Sequence, residues 1–211
     1  MISHALTIVI NELNKHLADS YGSASLQACM GNLGEGFVTG SGGGGIAREM
    51  LHISVVNIKE EKTLKNLPNQ TRNDTTLKVT YENPPVFLNF LALLAATHSD
   101  YGNALLVLSR VIRFFQFRNV FTQDNVEPES LTNSSPVNRL DQLESFKLIF
   151  DLYSPTLEEV NHLWGTLGGK QYPFVLYTVR MLDLRFRGVH GEGSLITRVI
   201  SEFHHKKGGT P

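Results

Sequence analysis

Residues 161–173, with the sequence NHLWGTLGGKQYP, decide how the second half of this chain is interpreted. The stretch contains the only tryptophan, Trp164, followed by the adjacent glycines Gly168 and Gly169. Glycine often follows the last residue of a helix, because it adopts the left-handed backbone conformation without strain. The stretch contains no catalytic nucleophile, no general base and no cluster of metal ligands. It therefore predicts a packing or docking role at a corner between a helix and a strand.

The residues on either side of the two glycines predict that helix and that strand. Thr156 and Glu159 have the spacing of a capping box, in which each side chain satisfies a free backbone amide of the other residue. The apolar positions that follow predict a buried stripe: Leu157, Val160, Leu163, Trp164 and Leu167. His162 lies away from this stripe on a helical wheel, and we expect it and Lys170 to be presented outward. Residues 174–184 predict the strand.

The rest of the chain predicts an α/β or α+β fold, in which a single mixed sheet is flanked by about three helices. Apolar residues recur at three- and four-residue steps in 3–19 and 100–117, which predicts two more helices. Glu12 is expected on a polar face of the first one. The remaining strands are predicted at 26–30, 51–59, 86–96 and 146–153. Residues 86–96 are apolar on both alternating faces, which favours a central strand that is covered on both sides.

Two segments separate these elements. Pro84 and Pro85 form a firm stop before strand 86–96. The polar segment 60–83 is long for a loop and predicts at least one hairpin or excursion. No internal repeat or linker divides the chain, so we interpret residues 1–211 as one domain, with residues 185–211 as a C-terminal extension.

The composition excludes several classes of protein. The chain has 211 residues, a hydrophobic content of 41% and a formal net charge of −1, which gives no reason to expect a nucleic-acid partner. The single cysteine, Cys29, is expected to be a small buried hydrophobe in a reducing compartment. The N-terminus has no basic region or cleavage site typical of a secretory signal, and the apolar run 85–96 is too short to span a membrane. We therefore expect synthesis and assembly in the cytoplasm, without membrane insertion.

A glycine-rich loop at residues 31–45 is the main candidate for a ligand site. It includes the run Gly42, Gly43, Gly44 and Gly45. A phosphate site needs a strand, a tight glycine turn and then a helix N-terminus, whereas here a strand is predicted to follow. The pattern favours a hairpin loop that becomes ordered against a partner, with Gly42, Gly43 and Gly44 as candidate interface residues. A ligand-binding α/β domain that uses this loop remains an alternative.

The sequence predicts no enzymatic site. The eight histidines are scattered, and the adjacent pair His204 and His205 cannot both point at one ion from a helix or a strand. No Gly-x-Ser-x-Gly elbow is present. Cys29 has no partner recognisable from the sequence that would act as its base. We therefore expect no catalytic residue, no metal and no cofactor.

Four segments, taken together, resemble one protein family. They are MISHALT at 1–7 with NELN at 11–14, ISVVNI at 53–58 with EEKTL at 60–64, NPPVFLN at 83–89 continuing to IRFFQ at 112–116, and EEVNHLWGTLGGK at 158–170. They resemble the N-terminal domain of the cap, or tail-terminator, proteins of extracellular contractile injection systems. These systems are phage-tail-like particles of the virulence-cassette and antifeeding-prophage type. The resemblance extends over nearly the whole chain and keeps its order.

The resemblance implies a structural protein with a fold similar to phage tail terminators. Such caps form a ring, expected to be a hexamer, on the last layer of the inner tube, where they engage the sheath and stop polymerisation. The family has no catalytic residues to transfer. We take Asn161, His162 and Lys170 as candidate interface residues, and Trp164, Gly168, Gly169, Pro84 and Pro85 as structural ones. A tail-completion or baseplate adaptor of the same particle is the alternative.

Overall fold

The computed structural model describes residues 1–22, 27–37, 45–64, 66–143, 145–184, 188–196 and 198–202. The chain divides into two units. The first comprises residues 1–64 and 86–184, and the second comprises residues 65–85 and 185–211. Each unit is described separately, and the interpretation of residues 1–211 as one domain stays a prediction.

The described residues form helices and strands with the following bounds. In chain order they are α1 (Ile2–Tyr21), β1 (Ala28–Met30), β2 (Leu51–Glu60), β3 (Gln70–Asn73), β4 (Lys78–Glu82), β5 (Val86–Ala96), α2 (Tyr101–Phe117), β6 (Val120–Thr122), α3 (Pro128–Thr132), β7 (Lys147–Tyr153), α4 (Leu157–Thr166), β8 (Phe174–Leu184) and β9 (Val189–Ser194). In the first unit, six strands form a mixed sheet in the order β1-β2-β5-β8-β7-β6. Only the pairing of β1 with β2 is parallel in this sheet.

Strand β5 lies in the interior of the large sheet and is covered on both faces. Leu94 and the alternate residues around it pack into the core formed with α1 and α2. Leu93 and Ala95 pack instead into a second core that contains Trp164 of α4. Neighbouring residues of a strand point to opposite faces, so this division follows directly from the alternation. The prediction of a central strand covered on both sides is confirmed.

The core between the sheet and α2 is rich in aromatic rings. Phe115 stacks on Phe150 with ring centroids 4.7 Å apart, and its ring centroid lies 4.7 Å from that of Tyr177. Phe114 and Phe121 make further ring contacts in the same cluster. Burial raises the pKa of Tyr177 to about 12, because the low-dielectric core disfavours the phenolate. The cluster joins α2 to strands β6, β7 and β8.

The motif at residues 11–14 (NELN) ties α1 to segments that are distant in sequence. The Asn11 amide donates hydrogen bonds to the carbonyl oxygens of Ser130 and Asn133, at 3.1 and 3.0 Å. The Asn14 side-chain N–H donates a hydrogen bond to the carbonyl oxygen of Ala28 at 2.9 Å, and the Asn14 side-chain oxygen accepts one from the N–H of Ala28 at 2.7 Å. These bonds attach α1 to α3 and to β1.

The prediction that Glu12 lies on a polar face is wrong. Its side chain is only 4% exposed and accepts a hydrogen bond from the Arg118 guanidinium. The N–H of Glu127 donates to the other carboxylate oxygen at 2.8 Å. Arg118 also donates to Asn125. Helical periodicity failed here because the segment after α2 folds over this side of α1 and supplies the partners that a buried charge needs.

The second unit contains a three-stranded sheet in the order β3-β4-β9. The antiparallel pair β3–β4 has Asn73 opposite Lys78, which confirms the hairpin predicted within 60–83. Strand β9 lies within the predicted extension 185–211 and was not predicted. Its sequence, VHGEGS, contains two glycines and has low intrinsic strand preference, so its pairing with β4 decides its structure.

The predicted fold class is confirmed in its main features. The large sheet is mixed and flanked by helices, and the predicted helices and longer strands are present. The short elements α3 and β6 and the pairing of β9 with the predicted hairpin were not predicted. Pro84 and Pro85 lie between β4 and β5, at the predicted stop. In the described part of the chain, no helix is long and apolar enough to cross a membrane.

We predict that Glu12→Ala lowers the free energy of unfolding by about 3–5 kcal/mol, because it leaves the Arg118 guanidinium without its carboxylate in a largely buried site. Urea unfolding followed by circular dichroism measures this change. Lys15→Ala is the control, because Lys15 is exposed and forms an exposed ion pair with Glu127 at 3.3 Å. We expect that variant to change stability by less than about 1 kcal/mol. Equal effects of the two variants would contradict the structural importance of the buried pair.

Candidate interface at the α4 corner

Helix α4 begins at a complete capping box. The Thr156 hydroxyl accepts from the N–H of Glu159 at 3.3 Å, and the Glu159 carboxylate accepts from the N–H of Thr156 at 2.8 Å. The Tyr153 hydroxyl donates to the same carboxylate at 2.8 Å. The bonds from Thr156 and Tyr153 lower the pKa of Glu159, and the bond to Glu159 raises the pKa of Tyr153. The predicted capping box is confirmed, and it attaches the start of α4 to the end of β7.

The two glycines end α4 as predicted. Gly168 and Gly169 have φ angles of 91° and 76°, in the region that only glycine adopts freely. The N–H of Gly169 donates to the carbonyl oxygen of Trp164 at 2.8 Å, which is the six-to-one hydrogen bond of a Schellman motif. The chain therefore leaves the helix in a defined direction and enters β8 at Phe174.

Trp164 holds the corner against the sheet. Its side chain is 4% exposed and belongs to a core with Leu33, Ile46, Leu93, Ala95 and Leu176. Its ring makes edge-to-face contacts with Tyr172 and Phe174, at centroid distances of 6.0 and 5.3 Å. The indole Nε1 is buried and makes no hydrogen bond within the described residues. The contribution of Trp164 is therefore apolar packing.

The predicted interface residues of the corner lie at its surface. The His162 side chain is 78% exposed, and its Nε2 lies 3.7 Å from a carboxylate oxygen of Glu158. Asn161 and Lys170 are also exposed. His162 lines a half-open hollow of about 440 Å³ between α4 and the sheet, where Lys59 and Asn89 are further polar residues. The corner thus presents amide, imidazole and ammonium groups from a rigid support.

The outcome is different for two further predictions, which concern Leu157 and the glycine-rich loop 31–45. Leu157 was predicted in the buried stripe, but its side chain is 85% exposed, so that prediction is wrong. It is the first residue of α4, and helical side chains tilt toward the N-terminus, so Leu157 projects past the start of the helix. The glycine-rich loop 31–45 was predicted as a hairpin loop, but the strands before and after it, β1 and β2, pair in parallel, so the prediction of a hairpin is wrong. Gly42, Gly43 and Gly44 lie outside the described residues, and their role as interface residues stays a prediction.

A cysteine–histidine contact was missed by the sequence analysis. The parallel pairing of β1 with β2 places Cys29 opposite His52, and the thiol sulfur lies 3.2 Å from Nδ1 of His52. Nε2 of His52 lies 2.7 Å from the carbonyl oxygen of Ala47, which can only accept, so Nδ1 accepts from the thiol. Burial raises the pKa of Cys29 and lowers the pKa of His52. Both shifts favour the neutral pair, which is not an activated nucleophile.

Comparison of the sequence with models of protein families identifies the family of this chain. Residues 5–198 match the model of the Pvc16 N-terminal domain, so the match includes the capping box, Trp164 and both glycines. The chain belongs to the Pvc16 N-terminal domain family. The resemblance noted from four sequence segments is thereby confirmed. Among curated proteins, a sequence comparison finds no match.

The chain is also similar to two solved structures. One is the cryo-EM structure of the PVC sheath/tube terminator of an extracellular contractile injection system in its extended state. It is 13% identical with a TM-score of 0.53, and the match covers 95% of this chain and 64% of that chain. A second is the tube-terminating cap of the anti-feeding prophage. It is 14% identical with a TM-score of 0.47, and the match covers 73% of this chain and 49% of that chain. The present chain therefore spans less than two thirds of the length of either of those chains.

We predict that Gly168→Ala destabilises the protein by about 1–2 kcal/mol, because alanine is strained at a positive φ. No neighbouring atom lies within 4 Å of a Cβ built at Gly168, so steric contact adds nothing to this cost. Gly165→Ala is the matched control, because Gly165 lies inside α4 and also has free space. We expect that variant to be neutral or to stabilise by up to about 1 kcal/mol. Thermal unfolding of both variants measures the difference, and the same sign for both would contradict the assignment.

We predict that Trp164→Ala lowers the free energy of unfolding by about 3–5 kcal/mol, through lost apolar contacts and the cavity left behind. Trp164→Phe should cost much less, because it keeps an aromatic ring and removes a buried N–H that has no partner in the described residues. Chemical unfolding of the two variants compares them. A large loss with phenylalanine would show that the indole nitrogen has a role that packing does not provide.

Proposed function

We propose that this chain is a cap, or tail-terminator, subunit of a contractile injection system. In this role, copies of the chain form a ring, expected to be a hexamer, on the distal end of the inner tube and sheath. The ring ends polymerisation and stabilises the particle. The observation that carries the proposal is the match to the Pvc16 N-terminal domain over residues 5–198. The similar fold of a sheath/tube terminator supports it.

The chemistry of the described residues is consistent with a structural role rather than an enzymatic one. The Cys29–His52 pair is kept neutral by burial, and the polar network at the start of α4 is used to hold helix and sheet together. We assign no cofactor to the protein. Assembly in the cytoplasm, followed by incorporation into the particle, completes this proposal.

The α4 corner is the surface that we assign to contacts within the particle. Asn161, His162 and Lys170 are exposed on a helix end that Trp164 and the two glycines hold in place. A rigid support reduces the conformational entropy lost on binding. We propose that these three side chains contact the tube, the sheath or a neighbouring cap subunit.

We predict that replacing Asn161, His162 and Lys170 together by alanine leaves folding intact, because all three side chains are exposed. The variant should fail to restore uniform particle length in a strain that lacks the gene. Negative-stain microscopy of the purified particles gives the length distribution. His190→Ala, which changes an exposed histidine of β9, is the control and should restore normal length.

The outcomes of this experiment test two different statements. Particles of normal, uniform length in the deletion strain itself would contradict the cap function. Uncontrolled or missing particles in the deletion strain, together with full rescue by the triple variant, would retain the cap function and reject the assignment of the α4 corner.

A further inference from the structure

Helix α2 has an outward side that is unusually apolar for a soluble protein. We call the side formed by residues 101, 102, 105, 106, 109, 112, 113, 116 and 117 the α2 outer face. Five of these nine positions carry large hydrophobic side chains that are substantially exposed: Tyr101 67%, Leu105 44%, Leu106 46%, Ile112 38% and Phe117 81%. The opposite side of α2 is already buried in the core. Exposed apolar surface of this extent, concentrated on one helix, is typical of an interaction site.

The charge on the α2 outer face is positive. Arg113 is its only charged residue. At its margin the Arg110 guanidinium lies over the Tyr21 ring, 4.2 Å from the centroid. An open hollow of about 410 Å³ lies between the C-terminal ends of α1 and α2, lined by His16, Ser20, Tyr21, Arg113, Gln116 and Phe117. No carboxylate is among these lining residues. The hollow therefore suits an apolar side chain that is followed by an acidic one.

The first turn of α4 offers that combination of residues. Leu157 is 85% exposed, and the side chain of Glu158 next to it is also 85% exposed. Helix α2 packs into the core on one face of the large sheet, and Trp164 of α4 packs on the other face. One subunit therefore carries the two complementary features on opposite layers, where they cannot meet within the same chain.

We propose that the α2 outer face of one copy binds the first turn of α4 of the next copy. Leu157 enters the hollow beside Phe117, and Glu158 pairs with Arg113. The two sides of this contact are different surfaces, so it is heterologous and repeats from copy to copy until a ring closes. This inference rests on the proposed cap function, for which it identifies the contact between subunits.

The heterologous contact between α2 of one copy and α4 of the next fits these residues better than a symmetric contact between two α2 helices. A two-fold contact between two α2 outer faces would bring the same positive side chains together, and no carboxylate is among the nine residues of that face to balance them. It would also be complete after two copies, which a ring is not. The α4 turn supplies both the missing negative charge and an exposed apolar side chain.

Disulfide cross-linking tests the contact directly. In a Cys29→Ser background, Gln116→Cys and Leu157→Cys are introduced together, and the purified protein and the assembled particles are oxidised. A heterologous contact should produce a ladder of covalent oligomers on non-reducing gels, because each copy then bonds to two neighbours. Gln116→Cys with Val137→Cys is the matched control, since Val137 is fully exposed on a loop, and it should produce no ladder. No ladder from the first pair in either sample would overturn the inference.

A charge exchange tests the polar half of the same contact. Arg113→Glu or Glu158→Arg alone should weaken self-association by about tenfold or more, measured by sedimentation velocity over a range of concentrations. The double variant should recover much of the lost association, because the two charges are again opposite. Unchanged association in both single variants, or no recovery in the double variant, would overturn the pairing.

These outcomes remain distinguishable from a failure of the cap function. Particle length in the deletion strain reports on the cap function whatever surface joins the subunits. Uncontrolled length in that strain, combined with no ladder and no charge effect, would leave the cap function standing and reject this contact. Normal length in that strain, combined with a ladder, would keep the contact and reject the cap function.

Discussion

The burial of β5 on both faces is the constraint on which the large sheet depends. Leu93 and Leu94 are neighbours in sequence, both are completely buried, and they belong to two different cores. A strand with this pattern is stable only when another layer removes each face from water. Helices α1 and α2 provide one layer, and α4 provides the other. The position of the α4 corner is therefore a consequence of how β5 is covered.

Buried and half-buried polar side chains of α1 join the layers through hydrogen bonds. The Glu12 carboxylate accepts hydrogen bonds from the Arg118 guanidinium and from the N–H of Glu127. Asn11 and Asn14 donate hydrogen bonds to Ser130 and Ala28, which are distant in sequence. The capping box does the same at the surface, where Glu159 bonds Tyr153 and Thr156. These hydrogen bonds fix α1 and α4 against the segments that they contact.

Much of the corner could be predicted because its signals are local. The capping box, the glycine stop and the direction of His162 each depend on residues within a few positions of one another. Other features depended on partners that are distant in sequence. The Cys29–His52 contact exists because β1 pairs with β2, and β9 is a strand because β4 accepts it. Periodicity alone also placed Glu12 in solvent and Leu157 in the core, and both predictions were wrong.

The sequence by itself determined the main helices and strands, the end of α4 at Gly168 and Gly169, and the family, because these depend on local periodicity, on backbone preference and on motifs in a preserved order. Only the tertiary structure decided which charges are buried and which apolar residues stay exposed. Glu12 is buried because the chain after α2 brings Arg118 to it. Leu157 and Phe117 stay exposed because no described element of the chain covers them. Whether a side chain is buried depends on its neighbours in space, and the periodicity of a single segment carries no information about those neighbours.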